Sequence, residues 1–222
     1  MEYPSFMQNA ISAFQAGGPW MIAIAVALAI SIAFTLERFL RLFFQYNVDG
    51  TSFMFEVQKY ILANDLDGAI RLCNGAGKAA LPKVLKAGLQ RASRDETQIQ
   101  NAIDAASLEM IPKLERRLSY LALIANIAVL LGLLGTVTGL IKSFAAIALA
   151  DPAQRQAILS AGISEAMNAT AFGLVTAIFT MVVHSVLSNK ANKILEELDE
   201  FGVKLLDLLS ARKYRQTSQK SD

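Results

Sequence analysis

Three stretches of this sequence are each able to cross a lipid bilayer, and they constrain the fold more than any other feature. They are PWMIAIAVALAISIAFTL over 19–36, LALIANIAVLLGLLGTVTGLI over 121–141 and ATAFGLVTAIFTMVVHSVL over 169–187. The first carries no charge, and Gly17, Gly18, Pro19 and Trp20 bound it on one side and Glu37 and Arg38 on the other. Each is close to the roughly 20 residues that a spanning helix needs. Lipid offers no partner for backbone N–H and C=O groups, so segments of this kind must be helices. The whole chain is 54% hydrophobic over 222 residues. That is too apolar for an ordinary soluble domain and too polar for a protein made only of spans. The expected class is an all-α integral membrane protein with three transmembrane helices and substantial aqueous helices.

The charges orient the spans. Twelve Lys or Arg lie between Glu37 and Ser119, and seven more between Lys190 and Lys220. The segment before the first span has none, and only Lys142 and Arg155 fall around the connection between spans two and three. The positive-inside rule then places the long loop and the C-terminal tail in the cytoplasm and the N-terminus outside. The expected organisation is an extracytoplasmic segment (1–18), a first span (19–36), a cytoplasmic helical domain (37–119), a second span (120–144) and a short periplasmic loop (145–165). A third span (166–188), a cytoplasmic helix (189–212) and a disordered tail (213–222) complete it. No basic n-region opens the chain, so the N-terminus is expected to be retained rather than cleaved as a signal peptide.

Other classes find little support. A net charge of +2 gives no footprint for nucleic acid. Cys73 is the single cysteine and His184 the single histidine, which excludes an internal disulfide and makes a poor transition-metal site. The run GAGK at 75–78 is no P-loop, because the earlier glycine and the following Ser or Thr are missing. Cys73 nearby reads as a small packing residue.

The aqueous parts read as helices. Ser93 and Glu96 have capping-box spacing, and apolar residues then recur at Ile99, Ile103, Ala106, Met110, Leu114 and Leu118. This helix is expected to run into span two, with a kink at Pro112. Span three is expected to continue through Ile194, Leu198, Phe201, Leu205 and Leu208. Spans two and three thus extend into the cytoplasm as long helices. Their apolar stripes need partners, and copies of the same chain are the economical choice.

Polar and small residues inside the spans carry the functional question. On span two, Ala125, Ala128, Gly132, Gly135, Thr136, Gly139 and Ser143 advance by threes and fours, and Gly135 to Gly139 is a GxxxG. On span three Thr170, Gly173, Ala177, Thr180 and His184 do the same, with Thr176 beside them. Stripes of this kind let helices approach closely, which is the structural reading. A lone transmembrane threonine ordinarily bonds the i−4 carbonyl of its own helix. The functional reading is a narrow hydrated path walled by Gly, Ala and Thr. Glu165 precedes span three at its outer end, where it either favours a helix N-terminus or handles an ion at the membrane edge. Lys142 reads as a snorkelling anchor and His184 as an interfacial polar group. No Asp or Glu lies in the middle of any span, whereas an ion carrier acting alone keeps a carboxylate at depth. A titrating group would then come from another chain.

LLGLLGTVTGLI, followed after a short outer loop by GISEAMNATAFGLVTAI, resembles the ExbB/TolQ branch of the MotA/TolQ/ExbB proton channel family. GGPWMIAIAVALAISIAFTLERFLRL is similar to the first span of that branch. Asn168, Phe172 and the run IFTMVVH depart from the family's usual pattern. The resemblance implies a homopentamer with a central pore faced by spans two and three. It implies an ExbD/TolR-like single-span partner inside, whose membrane aspartate takes up and releases protons. It also implies a bacterial inner (cytoplasmic) membrane and no enzymatic activity, cofactor or metal, with H+ as the coupling ion and Na+ an alternative. Carried over by motif, Thr136 and Thr170 are pore hydroxyls near that aspartate, and Glu165 matches the motif glutamate at the outer end of span three. Gly132, Gly135, Gly139, Gly173 and Thr180 complete the expected pore-lining set.

The expected function is therefore the pore-forming subunit of a proton-motive-force-driven motor that does work on the cell envelope, in outer-membrane import or envelope integrity. Two alternatives stand beside it: a stator-type subunit for surface or gliding motility, and a structural scaffold whose glycines only assemble helices. An intramembrane hydrolase would have to rely on His184 alone.

Overall fold

The computed structural model describes residues 17–221, with side chains through Arg215. Most of the expected outer segment, residues 1–16, lies outside the described residues. The described chain is helical: α1 (Gly18–Leu40), a π-helical turn (Arg41–Gln45), α2 (Gly50–Leu62), α3 (Leu66–Gly75), α4 (Ala80–Leu89), α5 (Glu96–Glu115), α6 (Leu118–Leu149) and α7 (Arg155–Ser221). Among the described residues, three helical stretches are long and apolar enough to cross a membrane, and they contain the three segments read from the sequence. By internal contacts the chain divides into two units. One comprises Met1–Leu36 and Arg117–Val186, the other Glu37–Arg116 and Leu187–Asp222.

The first unit holds the apolar parts of α1, α6 and α7. Its outward-facing side chains are large and apolar, among them Leu130, Ile141, Val175 and Ile178. Many of its buried side chains are small, among them Ala125, Ala128, Ala166, Ala169 and Ala177, although Met21, Ile24 and Leu121 are buried too. This inside-out pattern is what lipid demands, because apolar contact with acyl chains costs nothing and tight helix packing needs small residues.

The second unit is organised around the apolar faces of α5 and the distal part of α7. Ile99, Ile103, Met110 and Leu114 are buried on α5, and Ile194, Leu198, Phe201 and Leu205 on α7. The α7 register closes on buried Leu209 rather than on the expected Leu208. These stripes are covered by the chain itself, not by copies of it. A Cβ at Gly88 of α4 would meet both Ile103 and Leu205, each at 2.9 Å, and one at Gly202 would meet Ile103 at 2.9 Å. The short helices are started locally. Asp49 caps α2 by accepting from Ser52, and Asp65 caps α3 by accepting from the Gly68 N–H at 2.8 Å. Gly77 adopts the left-handed conformation in the turn between α3 and α4, so GAGK is a turn. Cys73 is buried on α3, and burial pushes its thiol pKa up to about 11.

Several expectations are corrected. The helix α5 does not run unbroken into span two. Pro112 sits within α5, and the break comes later, where Arg116 is extended and Arg117 is left-handed (φ 67°). A proline removes only one ladder bond, whereas an extended residue followed by a left-handed one ends the helix outright. The buried Arg38 guanidinium donates to the Lys113 carbonyl at 3.3 Å, satisfying a terminal carbonyl of α5. The capping box does not form, since Asp95 is the residue at the helix start. Of the expected loop 145–165, residues 145–149 belong to α6 and 155–165 to α7. Only 150–154 are non-helical, because Asp151 and Pro152 supply the one strong turn signal there. The tail expected to lack structure continues in α7 through Ser221, with Asp222 outside the described residues. No Gly or Pro interrupts it after Gly202. Arg212 donates twice to Asn64 Oδ1, at 2.8 and 2.6 Å, and Lys213 donates to the Arg94 carbonyl, which ties the helix down.

Candidate functional site: a glycine-packed hairpin in the membrane

The small residues of α6 and α7 face each other within one chain. A Cβ placed on Gly173 would lie 2.7 Å from the Ala128 carbonyl oxygen and 3.0 Å from Gly132 Cα. One on Gly132 would lie 3.2 Å from Thr170 Cα. Gly135 faces Ala169, Gly139 faces Ala166, and Gly162 faces Ser143. Numbers rise on α6 as they fall on α7, so the pair is antiparallel. At Gly132 and Gly173 the neighbours are main-chain atoms, so backbone touches backbone. Gly132, Gly135, Gly139 and Gly173 are thus the contact face of the hairpin, the structural reading of the stripe.

The hydroxyls sort by position. Thr170 donates across the hairpin to the Gly132 carbonyl at 2.8 Å. Thr136 donates to Leu133 O at 2.6 Å, Thr138 to Leu134 O and Ser143 to Gly139 O, all within α6. Thr180 is fully buried and donates to Thr176 O at 2.8 Å. Its one proton is then used, so the 2.9 Å bond with Ser31 of α1 has Ser31 as donor. The Thr176 hydroxyl beside them is buried without a hydrogen-bond partner among the described residues.

Helix α1 covers one flank of this hairpin. Its Trp20 lies next to Gly135, its Ser31 binds Thr180, and its Gly18 touches the Glu165 carboxylate. Positions i+3 and i+4 fall on opposite sides of position i in a helix. Gly135 and Thr136 therefore straddle Gly132, and Thr136 lies on the side away from Trp20. On α7, Glu165 and Thr170 are five residues apart, about 140° around the helix. Glu165 reaches α1 and Thr170 reaches α6 on the far flank. Antiparallel packing then puts Thr136 and Thr170 on the same flank of the hairpin, opposite α1. Both are half-buried.

The structure thus brings together two of the expected site residues, Thr136 and Thr170, and separates Glu165 and Thr180 from them. Lys142 is exposed, and His184 is half-buried. The sequence reading missed Ser31 and Gly18. Ser31 was legible as one of only two hydroxyls in an otherwise apolar first span, with Thr35. Gly18 carried no signal beyond its neighbourhood to Pro19.

Three apolar helices, two of them packed through glycine with hydroxyls on one flank, define a multi-pass membrane protein. The sequence agrees: residues 76–200, more than half of the chain, match the model of the MotA/TolQ/ExbB proton channel family, and the chain belongs to that family. The family is one of proton channels and not of enzymes. Its relatives place it in the ExbB/TolQ branch. The chain is 36% identical over 109 residues to the Tol-Pal system protein TolQ of Haemophilus influenzae, covering 48% of this chain and 47% of that protein. It is 36% identical over 91 residues to the biopolymer transport protein ExbB of Salmonella typhimurium, covering 41% and 37%. An ExbB-like 3 protein of Synechocystis is 36% identical over 91 residues, covering 40% and 43%. The chain spans less than half the length of these relatives.

Proposed function

We propose that this chain is the pore-forming subunit of an ion-driven motor in a bacterial inner membrane, of the Tol/Ton type. Copies of the chain, five by the family resemblance, surround the single membrane helices of an ExbD/TolR-like partner. The partner's aspartate carries the proton, because no Asp or Glu lies in the middle of any span here. The N-terminus and the 150–154 turn lie outside, and the basic second unit lies in the cytoplasm. The motor does work on the cell envelope, in import or in envelope maintenance.

The observation that carries this reading is the shared flank of Thr136 and Thr170. A glycine-packed backbone pair presents two hydroxyls on the side that α1 leaves uncovered. Such a wall is polar enough to receive a protonated carboxyl and, at its Leu133 and Val137 positions, apolar enough to reject a charged one. Protonation then changes which wall the partner's carboxylate prefers. Glu165, on α7 beside the start of α1, is the ion-handling group at the entrance. The scaffold alternative is weakened by the same geometry, since the glycines are already occupied inside one chain and are not free to join copies.

The test is reconstitution of the chain with its partner in liposomes and measurement of proton flux under an imposed potential. Thr170→Val and Glu165→Ala are each expected to lower flux at least tenfold. Wild-type flux in both variants overturns the assignment. Replacing external protons by sodium decides the coupling ion.

A further inference from the structure

Gly18 stands immediately before Pro19 at the start of α1, with φ +70°. Only glycine adopts this backbone region routinely, and the following proline restricts the residue further. The position also has no room for a side chain. A Cβ built there would overlap the Glu165 carboxylate, with its Cδ at 2.9 Å and its Cγ at 3.3 Å. The atoms in the way are the end of one flexible side chain, not backbone. A side chain at Gly18 would therefore displace the carboxylate, and at φ +70° it would add a backbone strain that does not depend on Glu165. This sets Gly18 apart from Gly132 and Gly173, where an added Cβ meets main chain.

We infer that Gly18 is a positioning residue for Glu165: the absence of its side chain creates the niche in which that carboxylate is held at the outer end of the α1–α7 pair. The inference rests on the reading of Glu165 as an ion-handling group. It adds that the niche is made by α1, the span that does not belong to the glycine-packed hairpin. Glu165 stands five residues from Thr170 on the α1 side of α7, so α7 alone does not fix where its carboxylate points. The contact surface across from it does, and at that point the contact surface is Gly18 with no Cβ.

The consequence is a sign that a merely structural glycine would not show. If Gly18→Ala acts by displacing the carboxylate, drawing that carboxylate back by one methylene relieves it. Four full-length proteins are compared with the partner in liposomes: wild type, Gly18→Ala, Glu165→Asp and the double variant. Proton flux and the thermal unfolding midpoint are both read. Gly18→Ala is expected to lower flux about tenfold, since a misplacement of about 1 Å at a reacting group costs that much or more. In the Glu165→Asp background the same substitution is expected to change flux less than twofold. Its depression of the unfolding midpoint is also expected to be smaller there than in the wild-type background. The midpoint comparison decides the matter even where Glu165→Asp conducts too little for a ratio.

Wild-type flux in Gly18→Ala overturns the inference. So does an equal penalty of Gly18→Ala in both backgrounds, which would assign the whole effect to backbone strain at φ +70°. Glu165→Ala, run alongside, separates the two readings. Wild-type flux in Glu165→Ala overturns the role of Glu165 itself. A loss in Glu165→Ala with none in Gly18→Ala keeps that role and rejects the positioning by Gly18.

Discussion

The contact between α6 and α7 makes a sharp prediction about one substitution, Gly→Ala, at three places. At Gly173 the added methyl lies 2.7 Å from the Ala128 oxygen, where ordinary contact begins near 3.4 Å. The helices must part by about 0.7 Å, the difference of those two distances. Overpacking of this kind costs about 1–3 kcal/mol. Stretching the bond from Thr170 to Gly132 O adds about 0.6 kcal/mol, the average for hydrogen bonds between membrane helices. Against this, alanine is the better helix former by about 1 kcal/mol. The net expectation is a loss of about 0.5–2.5 kcal/mol. At Gly132 the nearest atoms stand at 3.2–3.4 Å, so a shift of a few tenths suffices and the two effects nearly cancel. At Gly75, the last residue of α3, nothing lies within 4 Å, and alanine is expected to stabilise by about 0.5–1 kcal/mol. The assay is unfolding in mixed micelles of rising SDS fraction, followed by far-UV circular dichroism. The order of stability is Gly75→Ala, wild type, Gly132→Ala, Gly173→Ala, with Gly132→Ala nearly level with wild type. A Gly173→Ala protein as stable as wild type would refute the backbone contact.

Three further outcomes follow from single contacts. Thr180→Val is expected to destabilise more than Ser31→Ala, because it leaves the Ser31 hydroxyl without its acceptor. The double variant should be no worse than Thr180→Val alone, as a double-mutant cycle will show. Cys73, its pKa pushed up to about 11 by burial, carries little thiolate at pH 8. It should react with a thiol reagent only on unfolding, and the stability it lends below its ordinary value of 9.0 should fade as pH rises toward 11. The Asp49 carboxyl is held below its ordinary value of 3.8 by hydrogen bonds from Ser52. A depressed carboxyl stabilises above its unfolded pKa and loses that effect as pH falls through the folded one. The drop in unfolding midpoint caused by Asp49→Ala is therefore expected at pH 7 and should shrink below about pH 4.

The spans were legible because lipid admits one kind of segment, a long apolar helix, and the sequence contains three. The glycine and hydroxyl stripes were legible because helical periodicity maps straight onto a face. What a face meets is a different matter. The spacing of Gly132, Gly135 and Gly139 is the same whether the stripe faces another copy, a pore or its own chain. Only packing assigned it to α7 of the same chain. The aqueous helices show the same limit. Ile99 to Leu114 and Ile194 to Leu205 announced buried faces, but not that α4 supplies Gly88 between them. Boundaries failed where the deciding signal was a backbone conformation rather than a residue type. Pro112 advertised a break it did not make, while Arg117, an unremarkable residue in sequence, carries the left-handed turn that ends α5.

The sequence by itself determined the class of molecule: three membrane helices, helical aqueous parts, no carboxylate in the middle of a span, and hydroxyls at helical spacing beside glycine. Those are properties of single helices, and a single helix is written in its own residues. The tertiary structure alone decided which hydroxyls stand together. Thr136 and Thr170 share the flank that α1 leaves open, while Thr180 is closed off by Ser31 and Glu165 is turned toward Gly18. The physical reason is that a helix offers every direction around its axis, and only the neighbours packed against it choose among them.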